Sequence, residues 1–546
     1  MCGISCCYKC RTNIQTNKRL LNRGPDHQHS IQFDKDVTVT ACVLYIQGNC
    51  KQPLSKDHKH LIYNGQLFQY PQVYKSDTEY LMEQVFSSGI LSAARLTIGH
   101  GPTAVIIYDE EEDCLWFWRD YFGRRSLLIC QQETGYLLSS VGDSHREWIE
   151  VPACGVFRLS GQNLECYPYV GLEEACKQFG ERFFDSTLIS EESIQPPVSP
   201  LNNSIDAPEL LDWESTILEF LKLLSESVRV RDMCCKFPLS FTKDSLSDYS
   251  TGHCYCIGNK KCNVHEVANW RVSNARVAVL FSGGIDCTVL ALLLHRSAPA
   301  EEPIDLLNVS FGNYDSTPDR LSAVASLGDL QRLAPNRTWN LIKVNVSVEE
   351  LRCARERHIT DLVYPHNTVL DDSIGCALWF AARGAGVCQD YPIISTARLL
   401  FSGIGADELL GGYSRHRGAW QNGGGLEAVL QQLQLDIGRI SERNLGRDNR
   451  VIGDHKRDCV APYLDERFVS FVNSLPIQYK VDFTLPRGQG EKVILRKVAQ
   501  NLGLDSSSAL PKKAIQFGSK IAKLEGKKEK GGDVCSRLAK KDQMKS

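Results

Sequence analysis

Two places in the chain combine residue types that can do covalent or phosphate chemistry. The first is Cys2, which follows Met1. Removal of the methionine would set the thiol beside a free α-amine. Such an amine titrates near ~7.7–8.0 and can take the thiol proton, the arrangement of an N-terminal nucleophile. A small, idle cysteine is the plain alternative. The second is Val279-Leu280-Phe281-Ser282-Gly283-Gly284-Ile285-Asp286-Cys287. An apolar strand that runs into Ser-Gly-Gly and then a helix lets backbone N–H groups converge at a helix N-terminus, and that makes a phosphate or pyrophosphate site. No GxxxxGK[ST] occurs, so this is not a Walker loop. Cys254, Cys256, Cys262 and His265 are zinc-compatible ligands at unusual spacing, with a thiol-rich insertion as the plain reading. Cys6, Cys7 and Cys10 have no histidine near them.

The elements that must carry these residues change character along the chain. Up to about 180, short β-like runs (Val37 to Leu44, Ala104 to Tyr108, Leu115 to Trp118, Tyr136 to Val141) alternate with turn residues such as Asn64-Gly65. That predicts an antiparallel sheet region. A helix is expected after Asp77, with Leu81, Val85 and Phe86 on one face and Asp77 as its cap. Residues 185–210 read as a polar linker, and Leu210 to Val230 as a helix. From Ala275 the pattern becomes β-α-β. Apolar strands at 275–281, 306–311 and 341–346 are each followed by helix-like segments, which predicts a parallel sheet. The expected divisions are 2–180, a linker and Cys-rich insertion at 181–268, a second domain at 269–520, and a Lys-rich disordered tail at 521–546. The tail is read as solvated, with docking to a partner or nucleic acid as the alternative.

Composition bounds the function classes. The 546 residues carry 62 Lys+Arg against 65 Asp+Glu, too balanced for a general nucleic-acid binder. No apolar run is long enough to span a membrane, and the start lacks the apolar stretch of a signal peptide. The 22 scattered cysteines are therefore expected as reduced thiols of a cytoplasmic protein.

Asn22-Arg23-Gly24-Pro25-Asp26, Tyr63-Asn64-Gly65-Gln66, Ser76-Asp77-Thr78-Glu79 and Trp118-Arg119-Asp120-Tyr121-Phe122-Gly123, in that order behind Cys2, resemble the class II glutamine amidotransferase domain of asparagine synthetases. The Ser282 loop resembles the SGGxDS pyrophosphatase-type loop of the same family. Phe401 to Tyr413, Gly488 to Arg496 and Pro511 to Gly518 resemble its later signatures. The Cys-bearing middle insertion and the replaced signature residues are most similar to the asparagine synthetase domain-containing branch of that family.

The resemblance implies an N-terminal nucleophile αββα sandwich followed by an α/β parallel-sheet ATP-pyrophosphatase domain. It implies Cys2 as the nucleophile, Asn64 and Gly65 as the oxyanion hole, and Asp77 as the holder of the glutamine α-amine. Leu280, Ser282, Gly283, Gly284, Asp286, Ser402 and Gly403 would bind ATP. Asp286 and Asp407 would hold Mg²⁺, and Lys492 would face the phosphates. The implied substrates are glutamine, aspartate and ATP, with asparagine formed through β-aspartyl-AMP and ammonia passing inside the protein. A homodimer stays open.

Several positions depart from the family pattern. No arginine stands near Ala41 to Leu44 to grip a glutamine carboxylate, and Val43 is the nearest match. Gln66, Cys287, Ile404 and Val460 replace Glu, Ser, Glu and Arg, and Asp372-Ser373-Ile374-Gly375 replaces an arginine-bearing stretch. Three readings follow from these departures: an active glutamine-dependent synthetase, an ammonia-dependent synthetase with another carboxylate acceptor, and a catalytically degenerate scaffold.

Overall fold

The computed structural model describes residues 1–10, 18–206, 210–235 and 270–524. The Cys254–His265 group and nearly all of the basic tail lie outside these residues. Inside the expected tail, Ile521–Leu524 is helical and Ile521 is buried, so these four residues are folded where the expectation had a disordered tail. Among the described residues no helix is long and apolar enough to cross a membrane.

The chain forms two units, and neither is a single stretch of sequence. Unit 1 comprises Met1–Val198, Asp361–Pro365 and Gly438–Asp458, and unit 2 the remainder. A contiguous second domain at 269–520 does not anticipate the two returns to unit 1.

Unit 1 is a two-sheet sandwich. Its strands are β1 (Gly3–Tyr8), β2 (His27–Phe33), β3 (Val37–Val43), β4 (Leu54–Lys56), β5 (Lys59–Gly65), β6 (Thr103–Asp109), β7 (Cys114–Arg119), β8 (Leu128–Gln131), β9 (Tyr136–Ser139), β10 (Ile149–Glu150), β11 (Gly155–Ser160), β12 (Asn163–Pro168) and β13 (Asp185–Leu188). The six-stranded sheet has the order β10-β8-β9-β1-β3-β2, and the seven-stranded sheet β13-β12-β11-β7-β6-β5-β4. Ile4, Val39, Ile62, Ile106 and Phe117 fill the space between the sheets. On the opposite face of the second sheet, Leu61, Tyr63, Val105 and Trp118 meet Leu81, Val85, Ala94 and Ile98 of helices Asp77–Ser88 and Ile90–Gly99. The outer face of the first sheet packs Cys7, Leu128, Leu137 and Trp148 against Tyr364, from the first returning segment. Helix and strand layers thus stack as α, β, β and α, with part of the last layer drawn from far along the chain.

Four local expectations fail for definable reasons. Asn64-Gly65 is not a turn but the end of β5, paired with Ala104 and Thr103 of β6. Ser76, not Asp77, caps the following helix, because its hydroxyl accepts from the Glu79 N–H at 3.1 Å. Part of the expected linker is sheet edge, since β13 runs parallel to β12 and Ile194 bridges to Tyr169. Cys7 and Cys10 are joined by a disulfide, so the all-thiol expectation fails at that pair.

Unit 2 is built on an eight-stranded sheet, β14 (Arg271–Val272), β15 (Val277–Leu280), β16 (Ile304–Phe311), β17 (Trp339–Val346), β18 (Ala385–Cys388), β19 (Tyr391–Ile394), β20 (Leu399–Phe401) and β21 (Asp458–Val460), in the order β14-β19-β18-β17-β16-β15-β20-β21. β15, β16, β17 and β20 are parallel, while β18 runs antiparallel to both its neighbours. The expected parallel sheet is therefore the centre of a mixed one. β15 lies between β16 and β20, so the connections leave it in opposite directions. That is the topological switch point at which open α/β sheets bind ligands beyond their strand ends.

Candidate functional site

In unit 1 the alternation of β5 positions the chemistry. Ile62 faces the inter-sheet core and Leu61 and Tyr63 face the helices, so Asn64 points the way of Ile62, toward the start of β1. Its Oδ1 accepts the Cys2 N–H at 3.0 Å, while its Nδ2 is buried with no hydrogen-bond partner. A buried amide donor left unmade beside a thiol is what an oxyanion needs. Cys2 is 8% exposed, and burial pushes its thiol upward. The Met1 α-amine is pulled down to about 6 by burial, despite Asp458 at 3.8 Å. An amine so depressed is neutral at working pH and can accept a proton.

Beside Cys2 lies a pocket of about 400 Å³, its open mouth included, lined by Val43, Gln47, Tyr63, Gly65, Gln66, Asp77 and Asp458 among others. Asp77 accepts from the Leu67 N–H at 3.2 Å and the Thr78 hydroxyl at 3.3 Å. Burial outweighs these bonds and raises its carboxyl to about 7. Asp458 is held by Arg125, with one contact at 2.9 Å, and accepts from Gln66 Nε2 at 2.9 Å. Arg23, fully buried, donates to the Cys2 carbonyl at 3.2 Å and to Asn449 Oδ1 at 2.7 Å. Sequence reasoning missed Asp458 and Asn449, and it quoted Tyr63 and Gln66 in a motif without giving either a role in the pocket. Asp458 and Asn449 lie 456 and 447 residues from Cys2 in sequence, and no local pattern announces them.

In unit 2 two loops leave neighbouring parallel strands. After β15, Ser282-Gly283-Gly284 leads into helix Ile285–Ser297. Leu280 is half-buried at the strand end, and the Ser282 hydroxyl accepts from the Gly284 N–H at 3.3 Å. Gly283 has φ +75°, and a Cβ there would sit 2.2 Å from the Ser322 carbonyl carbon. After β20, the Ser402 N–H donates to the Val460 carbonyl at 2.9 Å. Gly403 comes so close that a Cβ would be 2.9 Å from Asp286 Cβ, so the two loops touch there.

Between the loops sits a cluster of four charges. Lys492 Nζ is 2.7 Å from both Asp286 oxygens and 2.7 Å from Asp407 Oδ1. Lys512 Nζ bonds Asp407 Oδ2 and lies 3.8 Å from Asp286 Oδ2. Burial alone would raise the Asp407 carboxyl. Lys492 and Lys512 outweigh it and hold that carboxyl well below the usual range. Burial likewise opposes the Lys512 charge, but Asp407 and Asp286 hold it well above the ordinary lysine value. Lys492 caps helix Val493–Asn501 with φ +55°, a left-handed conformation that costs a side-chain-bearing residue about 1–2 kcal/mol. At Gly412 a Cβ would lie 2.0 Å from Asp407 Oδ1 and 2.2 Å from Lys492 Cε.

The adjoining pocket, about 440 Å³ with its mouth, is lined by Ser282, Gly284, Asp286, Asp319, Lys492, Arg496 and Lys512. Burial raises the Asp319 carboxyl to about 7, against Lys512 and Lys513. Lys512, Asp319 and Gly412 were not singled out from sequence. Lys512 stood inside a recognised stretch, and the Gly-Gly pair that holds Gly412 was the available signal for a tight approach.

The structure therefore lines one pocket of unit 1 with Cys2, Gly65 and Asp77, and bonds Asn64 to Cys2 behind it. In unit 2 it brings together Ser282, Gly284, Asp286, Asp407 and Lys492. Gly283, Ser402 and Gly403 shape the loops beside that cluster. Two departures from the family pattern have structural roles. The Val460 carbonyl anchors Ser402, and Asp372 pairs with Arg355 at 2.9 Å. Val43 lines the Cys2 pocket, and among the described residues no lysine or arginine does.

The sequence pattern of the glutamine amidotransferase domain family matches residues 1–147, and that of asparagine synthase matches 264–430 and 420–529. The chain is 36% identical over 653 aligned residues to asparagine synthetase domain-containing protein 1 of Mus musculus, covering 98% of this chain and 99% of that one. It is 37% identical to the Homo sapiens protein of the same name, covering 98% of each. A more distant match, 26% identical over 250 residues, is the glutamine-hydrolysing asparagine synthetase of Homo sapiens, with 45% of this chain and 40% of that one covered.

Proposed function

The chain belongs to the family of asparagine synthetase domain-containing proteins, and from that premise we propose that it is a glutamine-dependent, ATP-driven amide synthetase that makes asparagine from aspartate through β-aspartyl-AMP. The observation that carries this reading is the convergence of Asp286, Asp407, Lys492 and Lys512 beyond the ends of two adjacent parallel strands.

In unit 1, with Met1 removed, the Cys2 α-amine takes the thiol proton and the thiolate attacks the side-chain amide carbon. Asn64 Nδ2 and the Gly65 N–H stabilise the oxyanion, and the protonated amine then gives its proton to the departing ammonia. Water hydrolyses the thioester. Asp77, in its ionised form, holds the donor's ammonium.

In unit 2, Ser282, Gly283 and Gly284 take phosphate oxygens at the start of helix Ile285–Ser297. Asp286 and Asp407 suit Mg²⁺, since two carboxylates completed by phosphate oxygens are its usual setting, and the ion would neutralise phosphate charge. Lys492 and Lys512, ion-paired with these carboxylates, would face the charge that builds as pyrophosphate leaves. Adenylation turns a poor leaving group on the aspartate carboxylate into AMP, which ammonia displaces.

Pyrophosphate release with ATP, Mg²⁺ and aspartate, supplied with glutamine or ammonium, tests the reading, with asparagine identified by mass. Asparagine from both nitrogen sources is expected. Pyrophosphate release with another carboxylate and no asparagine would replace aspartate as the acceptor. No nucleotide turnover with any carboxylate would leave a scaffold. The absence of a lysine or arginine from the Cys2 pocket lining among the described residues favours, as a second reading, a synthetase fed by ammonium, which the same assay separates.

A further inference from the structure

The pocket beside Cys2 is unevenly charged. Two carboxylates line it, Asp77 and Asp458, with no lining lysine or arginine among the described residues. Asp458 is neutralised by Arg125 and bonded by Gln66, whereas Asp77 receives only neutral donors. Arg23 spends its guanidinium on the Cys2 carbonyl and Asn449. Lys51 and Lys75 neighbour the pocket in sequence, but both are exposed and neither lines it.

Two lining side chains carry polar atoms that are buried and without a hydrogen-bond partner, the Tyr63 hydroxyl and Gln66 Oε1. Gln66 Nε2 is fixed on Asp458, so Oε1 cannot be exchanged for the donor end of the amide. Among the lining groups, these two hold unused bonding capacity, a hydroxyl that can donate and a neutral acceptor. A carboxylate brings only acceptor lone pairs and a second negative charge, and would set oxygen against oxygen at Gln66. A carboxamide brings a C=O for the Tyr63 hydroxyl and an N–H for Gln66 Oε1.

We infer that the nitrogen donor of this pocket is a glutamine with a free α-amine and its α-carboxyl in amide linkage, as in glutamine α-amide or the N-terminal residue of a peptide. The inference rests on the reading of Cys2 as an amide-cleaving nucleophile. The donor's ammonium meets Asp77 and its α-carboxamide meets Tyr63 and Gln66. Its side-chain amide carbon bonds Cys2 Sγ as the C–N bond breaks. Ammonia leaves with the proton from the Cys2 amine, and water then frees the thiol and a glutamyl product.

Ammonia release from the full chain lacking Met1 is measured with glutamine, glutamine α-amide, glutaminyl-glycine and N-acetylglutamine. The inference expects kcat/KM at least tenfold higher for the α-amide or the dipeptide than for free glutamine, with N-acetylglutamine at background. Turnover of the α-amide alone identifies a small-molecule donor, and turnover of the dipeptide a peptide N-terminus. A ratio below ten overturns the inference and leaves the glutaminase reading intact, and so does efficient use of N-acetylglutamine. No ammonia from any of the four overturns both. Val43→Arg, which adds a cation to the lining, should shift the ratio at least fivefold toward free glutamine. An unchanged ratio in a folded V43R protein also counts against the inference, and if V43R does not fold the four-substrate comparison on the unchanged chain decides.

Discussion

At the scale of single residues, Asp77 and Lys480 make opposite use of burial. Asp77 must be ionised to hold an ammonium, yet burial has moved its carboxyl from 3.8 to about 7. Ammonia release should therefore fall as pH drops through 7, to about a tenth of its plateau by pH 6. Asp77→Asn should be weak and flat across the same range, and a pH profile of kcat/KM checks both. Stability runs the other way. The folded chain holds the Asp77 proton more tightly than the unfolded chain between pH 3.8 and 7, so the cost of ionising Asp77 is fully present above 7 and fades on acidification.

Lys480 is fully buried with no hydrogen-bond partner for Nζ, and burial lowers it from 10.5 to about 7. Between those values only the unfolded chain keeps the proton, so this residue's penalty is complete below pH 7 and disappears as pH approaches 10.5. Lys480→Met should raise stability by about 1–3 kcal/mol at pH 6.5 and by much less at pH 10. Urea midpoints at the two pH values measure it. Cys2→Ala should abolish ammonia release from any donor and leave ammonium-supported pyrophosphate release in place, because the second chemistry uses none of the same groups.

At the scale of elements, the glycine loops carry the strictest demands. Gly283→Ala places a side chain on a positive-φ residue and against the Ser322 backbone. It should cost about 1–3 kcal/mol, read from the denaturation midpoint, along with pyrophosphate release. This loop was legible because an apolar strand, Ser-Gly-Gly and a helix sit together in nine residues. So were the change from antiparallel to parallel patterning and the Asp286 and Asp407 carboxylates. Asn64-Gly65 was misread as a turn because its residue types favour turns. β6 beside it and the Cys2 N–H make an Asn amide in a strand worthwhile. The Ser76 cap could have been found from the Ser76-to-Glu79 spacing. Lys512 and Asp458 were not legible, since each earns its place through partners distant in sequence.

At the scale of the whole molecule, unit 1 depends on late sequence. Arg125, fully buried, has Asp458 as its carboxylate, and Asn449 takes two of the Arg23 donors. At Gly446 a Cβ would strike Glu150 at 1.7 Å, so helix Gly446–Gly453 packs directly on this unit. A fragment ending at residue 198 keeps the arginines and loses these partners. Uncompensated buried charge costs about 3–5 kcal/mol per broken pair. Such a fragment should be insoluble or molten, whereas the full chain melts cooperatively, and calorimetry with near-ultraviolet circular dichroism distinguishes them.

The same interleaving sets a timetable for synthesis. The first sandwich has its thirteen strands by residue 188, but its last pieces leave the ribosome only once residue 458 has been translated. At ~5–20 residues per second, those ~260 further residues take on the order of 10–50 s. For that interval the nascent front half carries Arg23 and Arg125 without their mates. Its dependence on chaperones should be greatest while the back half is still being made.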